Sequence, residues 1–349
     1  MDVLRGAALL MIFVNHIPGN VLSNVTLQMF ALNDAAELFV FLAGYSSWLA
    51  YGRHFERHGF RAGSGRVLRR AALLYGYQVV LLLLTLAIVL AWTRAFGMEA
   101  RAVKPILDAP VLGLARGVTL TALPERLDIL PLYVVLLASF PVAYALLRRN
   151  AALTVAASAA VWAVAGVAPW LNLPNWLGDT GYWYFNPFAW QFLFVLGAVL
   201  AGLTCAQNRP VFGNRWFVAG CAAVAIAGLI ASAPWREWGW SSLQVLDLGD
   251  LDKTTLSPLR LANVLALVLL ALSSDWFRRV AEERLLRPLA LMGRHSLEVF
   301  ALGSVLTVFG GLTVRTYGSD WVVQLGVNTI GIGLQIALAV WLSQRAPTR

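Results

Sequence analysis

Residues 71–92 read Ala71-Ala-Leu-Leu-Tyr-Gly-Tyr-Gln-Val-Val-Leu-Leu-Leu-Leu-Thr-Leu-Ala-Ile-Val-Leu-Ala-Trp92, without one charged side chain. As a helix, at about 1.5 Å per residue, the run covers about 33 Å, enough for a hydrocarbon core about 30 Å thick. Directly upstream, Arg53, Arg57, Arg61, Arg66, Arg69 and Arg70 crowd one short stretch. An apolar run that meets a basic one is the pattern of a transmembrane helix reaching the cytoplasmic face.

Working outward, the same pattern recurs along all 349 residues. Hydrophobic residues make up 59 % of the chain and charged ones 13 %, where a soluble domain carries about 25 %. So little charge excludes a secreted enzyme, a nucleic-acid binder and a disordered scaffold. The expectation is an all-α, polytopic membrane bundle forming a single domain over residues 1–349. Ten spans are expected, at Val3–Pro18, Ala35–Gly52, Ala71–Trp92, Leu127–Leu147, Ala151–Pro169, Phe188–Cys205, Trp216–Ala233, Leu259–Ser274, Leu289–Leu312 and Trp321–Ser343. The first run carries His16, ends at Pro18-Gly19 and lacks a small-residue cleavage site, so it reads as a retained span rather than a signal peptide.

The net charge of +9 speaks to topology. With the N-terminus inside, 17 of the 27 Lys and Arg fall on the inner side. They include Arg5, the six arginines of residues 53–70, Arg148, Arg149, Arg209 and Arg349. The outer loops hold nine, Arg101 among them, and most of the acids, including Asp247, Asp250 and Asp252. Both termini are therefore expected in the cytoplasm. The longest outer loop contains Val111–Leu123, weakly amphipathic, which is expected to lie flat on the surface. No internal repeat marks a transporter. The two cysteines, Cys205 and Cys221, suggest neither a disulfide framework nor a cysteine-ligated metal, and no metal site is expected. No G-x-x-x-x-G-K-[ST], H-E-x-x-H or G-x-S-x-G occurs.

Ionisable residues inside spans are expensive, and each marks a functional hypothesis. Arg5 and His16 stand eleven residues apart, on one helix face and about 16 Å apart along the axis. An anionic ligand held by Arg5 and reaching toward an imidazole deep in the membrane would use both. The plain alternative has Arg5 snorkelling to headgroups and His16 bonded within the bundle. The second span opens Asp34-Ala-Ala-Glu37. Its carboxylates either orient the imidazole for acid–base work or form a capping box. Arg294-His295-Ser296 with Glu298 offers a phosphate contact near the inner face and a His295–Glu298 pair. His54 and His58 sit in the basic inner stretch and read as solvated. Outer aromatics, Trp170, Trp176, Trp183, Tyr184 and Trp190 among them, gather around Asn186 and Gln191. Flat rings beside amides suit sugars, whereas an interfacial belt explains them equally.

Seven blocks resemble the OpgC family: Asp2-Val-Leu-Arg5-Gly6, Asn15-His16-Ile-Pro18, Asp34-Ala-Ala-Glu37-Leu-Phe-Val-Phe-Leu-Ala-Gly44-Tyr45, Leu130-Pro131-Leu-Tyr133, Trp183-Tyr-Phe-Asn186-Pro187-Phe-Ala-Trp190-Gln191-Phe, Lys253-Thr-Thr-Leu-Ser-Pro258-Leu-Arg260 and Gly293-Arg294-His-Ser296-Leu. The family belongs with the acyltransferase-3-like membrane enzymes. The resemblance implies succinyl transfer from succinyl-coenzyme A, a co-substrate rather than a resident cofactor, to osmoregulated periplasmic β-glucans at the bacterial inner membrane. On that reading His16 is the general base, with Glu37 or Asp34 holding its tautomer. Arg5, Arg69, Arg70 and Arg294 meet the donor's phosphates. Asn186, Gln191 or Tyr133 donate to the oxyanion, Trp183 and Trp190 belong to the glucan side, and Lys253 or Arg260 pairs with the succinyl carboxylate. Two departures stand out. The chain begins almost at the Asp, which leaves a start upstream open, and Leu261-Ala-Asn263 replaces residues that often include a His. Another acyl group, a surface glycan or lipid acceptor, and a glycan or anion transporter remain alternatives, and a homo-oligomer is left open.

Overall fold

The structure, a computed structural model, describes residues 1–99, 103–206, 214–236, 238–240, 248 and 251–345. Arg101, Arg209, Asp247, Asp250 and Arg349 of the topology argument lie outside the described residues. Among the described residues the architecture is all-α, without a β-strand. The helices are α1 Asp2–Asn15, α2 Ala35–Phe96, α3 Lys104–Asp108, α4 Pro110–Val118, α5 Ile129–Arg149, α6 Ala151–Val167, α7 Pro187–Ala206, α8 Arg215–Ser232, α9 Pro258–Ser273, α10 Asp275–Glu282, α11 Arg287–Arg294, α12 Ser296–Tyr317 and α13 Trp321–Arg345. Six of them, α2, α5, α7, α8, α12 and α13, are long and apolar enough to cross a bilayer, while α6 and α9 are apolar but shorter. The chain is a membrane protein.

Three boundaries differ from the expectation, each for a local reason. The basic stretch 53–70 is not a loop, because α2 runs through it as 62 helical residues broken only at Gly59. Arginine is a good helix former, and Phe55 packs on Gly63 of the returning arm and stacks on Tyr144 at 4.3 Å. Gly59 takes φ 78°, ψ 172°, a conformation open essentially to glycine alone. The ninth span starts at Ser296 rather than Leu289, since the chain turns at His295 (φ −103°, ψ 39°), which joins the eight-residue α11 to α12. In the outer loop the helix occupies Pro110–Val118, burying Gly113 and Gly117 and leaving Val111 exposed.

The chain forms two compact units. One comprises Met1–Phe39, Leu203–Asp252 and Ser257–Arg349, and the other Val40–Gly202 with Lys253–Leu256. In the first, α1 crosses α11 backbone to backbone. A side chain at Gly6 would collide with the Leu289 carbonyl, and one at Gly293 with that of Asp2. In the second, Gly44 of α2 lies against the Phe194 carbonyl of α7, and Gly197 of α7 against that of Phe41. Between lipid-embedded helices there is no hydrophobic drive to associate, so close small-residue contacts carry the packing.

Candidate functional site

In the first unit, α1 carries the two residues paired by spacing at opposite ends. Its helix ends at Asn15, and His16 is the C-terminal cap, half-buried, its N–H donating to the Ile12 carbonyl at 3.2 Å. The imidazole therefore stands at the end of the helix rather than deep along it. The following loop is tied down by amides. Thr26 Oγ1 donates to Asn15 Oδ1 at 2.8 Å. Asn20 and Asn328 exchange reciprocal amide bonds at 2.9 Å, and Gln324 donates to Gly19 O at 2.9 Å while accepting from Val21 N at 2.7 Å. Sequence reasoning missed these amides. The signal was Gln324 and Asn328 four apart on one face of an otherwise apolar span.

Asp34 and Glu37 make the capping box that their spacing allowed. Asp34 Oδ1 accepts from Ala36 N at 2.7 Å, and Glu37 Oε2 accepts from Asp34 N at 3.0 Å. Yet the box is also an ionic site. Glu37 is fully buried, and Arg260 of α9 places Nε 2.6 Å from Glu37 Oε1, with Nη2 on the same oxygen and 3.9 Å from Asp34 Oδ2. A buried carboxylate requires such a partner. Arg260 and the two carboxylates come from residues more than 220 positions apart. Asn263, one of the residues that depart from the family pattern, is also fully buried. It accepts from Leu32 N at 3.2 Å, donates to Val224 O at 3.2 Å and fills the space beside Gly228.

At the other end of α1 the structure brings Arg5 and Arg294 together around Asp2. Arg5 Nη1 lies 3.5 Å from Asp2 Oδ1 and donates to Gly293 O at 3.3 Å, and Arg294 Nε is 3.4 Å from Asp2 Oδ2. Two cations share one carboxylate there, which leaves net positive charge for an anion.

In the second unit the polar residues of the Asn186–Gln191 block brace the backbone. Trp190, wholly buried, donates Nε1 to both Lys253 O at 3.1 Å and Thr254 O at 3.2 Å. Asn186 donates from its N–H to Thr254 O at 3.1 Å and from Nδ2 to Leu171 O at 2.8 Å. Gln191 Nε2 donates to Ser158 O at 2.8 Å and Phe188 O at 3.1 Å, and buried Trp183 donates Nε1 to Leu120 O at 3.0 Å. Trp190 and Asn186 thereby hold Lys253–Leu256, a strap whose ammonium lies over the rings of Phe185 at 5.5 Å and Tyr184 at 5.9 Å. Asp128, preceding α5, faces that ammonium electrostatically. Tyr133 on α5 is half-buried within electrostatic range of Tyr51, which Arg66 and Arg70 also face. Trp170, Tyr184 and Trp176 are exposed aromatics of this unit, the last covered by Arg116 at 4.4 Å. Arg69 is exposed, donating to Gly65 O at 3.3 Å, and Arg70 is half-buried.

Residues 1–346 match the family described as OpgC protein. The chain belongs to the OpgC family. No curated protein and no solved structure matches it. In this OpgC chain the family blocks fall into two kinds of place. Asp2, Arg5, Glu37 and Arg260 form ion pairs in the first unit, while Asn186, Trp183 and Trp190 spend their donors on backbone carbonyls of the second.

Proposed function

We propose that the chain is a membrane O-acyltransferase that moves a succinyl group from succinyl-coenzyme A to a glucosyl hydroxyl of an osmoregulated periplasmic β-glucan. Family membership over residues 1–346, with a charge arrangement in the first unit suited to an anionic donor, supports the reading. The protein lies in the bacterial inner membrane with ten passes and both termini in the cytoplasm. The donor's phosphates meet Arg5 and Arg294 at one end of α1, and its thioester reaches the His16 end; Arg69 and Arg70 are cations of the second unit. His16 removes the proton of the glucosyl hydroxyl as the oxygen attacks the thioester carbonyl. The new C–O bond forms, the C–S bond breaks, and the imidazolium returns its proton to the departing thiolate. Asp34 and Glu37 supply the carboxylates that hold the imidazole's tautomer, and Arg260 keeps that pair charged and fixed. The exposed rings of Trp170 and Tyr184 offer platforms for the glucan, and Lys253 offers a cation for the succinyl carboxylate.

The test is transfer of labelled succinyl from succinyl-coenzyme A to a β-glucan by purified protein in liposomes, with His16→Ala alongside. Labelled glucan from the wild type and none from the variant is the expected result. Labelling that survives in the variant removes His16 from the mechanism. No labelling with succinyl, acetyl or other donors, in folded protein that binds glucan, overturns the enzyme reading in favour of a transporter.

A further inference from the structure

The turn of α2 carries a group of side chains that the acyl-transfer reading uses only in part. Residues 53–70 lie between the two apolar arms and hold six arginines against a single carboxylate, Glu56. That carboxylate is occupied, 3.4 Å from Arg148 at the end of α5. His54 and His58, one turn apart, stack ring on ring at 4.3 Å. Across the turn, Arg66 Nη1 lies 3.4 Å from His54 Nδ1. A guanidinium has only N–H donors, so in this contact Nδ1 is the acceptor, as it is in the neutral ring protonated at Nε2. The charged groups that α5 brings to this end are Arg148 and Arg149, again cations.

This arrangement is incomplete without an anion. The His54 ring has the cations Arg66 and Arg69 and a second imidazole as its neighbours. His54 indeed ionises below its ordinary range, through lost hydration and the repulsion of His58, Arg66 and Arg69. A phosphate group offsets the repulsion from Arg66 and Arg69. It carries about −1.5 to −2 charge at pH 7 and three strong acceptor oxygens. It would draw Arg66 away from Nδ1 and convert both rings to donors.

We propose that His54, His58, Arg66 and Arg69 form a site for a phosphate-bearing molecule whose binding takes up protons from water onto the imidazoles. For what the phosphate belongs to, the inference rests on the acyl-transfer reading, since a coenzyme A thioester carries such groups. The chemistry is shared with an anionic lipid headgroup.

Calorimetric titration of the whole protein in zwitterionic nanodiscs with adenosine 3′,5′-bisphosphate tests it, at pH 8 and pH 6.5 and in two buffers of different ionisation heat. Each coupled proton contributes up to about tenfold in affinity per pH unit. About tenfold tighter binding at pH 6.5, with proton uptake visible in the buffer dependence, is expected. His54→Asn with His58→Asn, at exposed or half-buried positions that leave the fold intact, should bind with affinity independent of pH. Arg66→Gln should weaken binding at both pH values. Absence of binding, or an unchanged pH slope in the double variant, overturns the proposal. Repeating the titration in nanodiscs containing phosphatidic acid separates the sources. Loss of adenosine bisphosphate binding there makes the occupant a lipid phosphate, and unchanged binding makes it a soluble one. Because binding is read without turnover, a failure of acyl transfer with this site intact overturns only the catalytic reading.

Discussion

Arg260 turns two nitrogens to one oxygen of Glu37, a carboxylate with no exposure at all. Removing one partner of such a pair strands the other, which costs about 3–5 kcal/mol. Arg260→Leu should therefore lower the melting temperature of the detergent-solubilised protein sharply, and adding Glu37→Leu should restore most of the loss. A single variant that melts like the wild type would show that the pair does not hold the unit together. Trp190 makes the second residue-scale argument. Trp190→Phe keeps an aromatic ring but deletes the donor shared by Lys253 and Thr254 carbonyls, at a cost of about 1–3 kcal/mol. The strap should loosen, and trypsin should cleave after Lys253 faster than in the wild type. Little of this was legible in the chain. The sequence marked Glu37 as an expensive charge and offered Arg260 to the succinyl carboxylate, but a pairing over 223 positions leaves no local signature. Likewise Trp190 read as a sugar platform, because an indole's ring advertises itself and its N–H does not.

For whole helices, the apolar runs were readable because hydrocarbon thickness sets one length for all of them. The two main misreadings have opposite causes. Residues 53–70 looked like a loop because they are charged, although arginine favours the helix and Gly59 alone breaks it. The joint at His295 was invisible because apolar residues continue on both sides of it. How tightly helices pack was hidden too, since a glycine in an apolar run reads the same whether it faces lipid or a neighbour. Gly197→Leu should force α7 away from the Phe41 carbonyl and reduce the yield of folded protein in size-exclusion chromatography. Gly76→Ala is the contrast. Nothing lies within 4 Å of its added carbon, and alanine favours a helix by about 1 kcal/mol over glycine. It should leave the elution profile unchanged and raise the melting temperature slightly.

At the level of the molecule, neither unit is a continuous stretch of chain. The backbone passes from one to the other four times, and the four-residue strap belongs to the second unit while both its flanks belong to the first. Expression of either half alone should give protein that aggregates in detergent, whereas co-expressed halves divided between α7 and α8 should associate and elute as one species. The order of synthesis makes the crossing of α1 with α11 consequential. With 14 residues, α1 is too short to secure itself in a bilayer, and the backbone that fits against Gly6 is Leu289. The ribosome makes that partner some 280 residues after the first helix. At about 5–20 residues per second, that interval lasts from about 14 seconds to about a minute. During it the bearer of His16 has no permanent berth, so the insertion machinery, rather than the bilayer, must hold it until the last helices arrive.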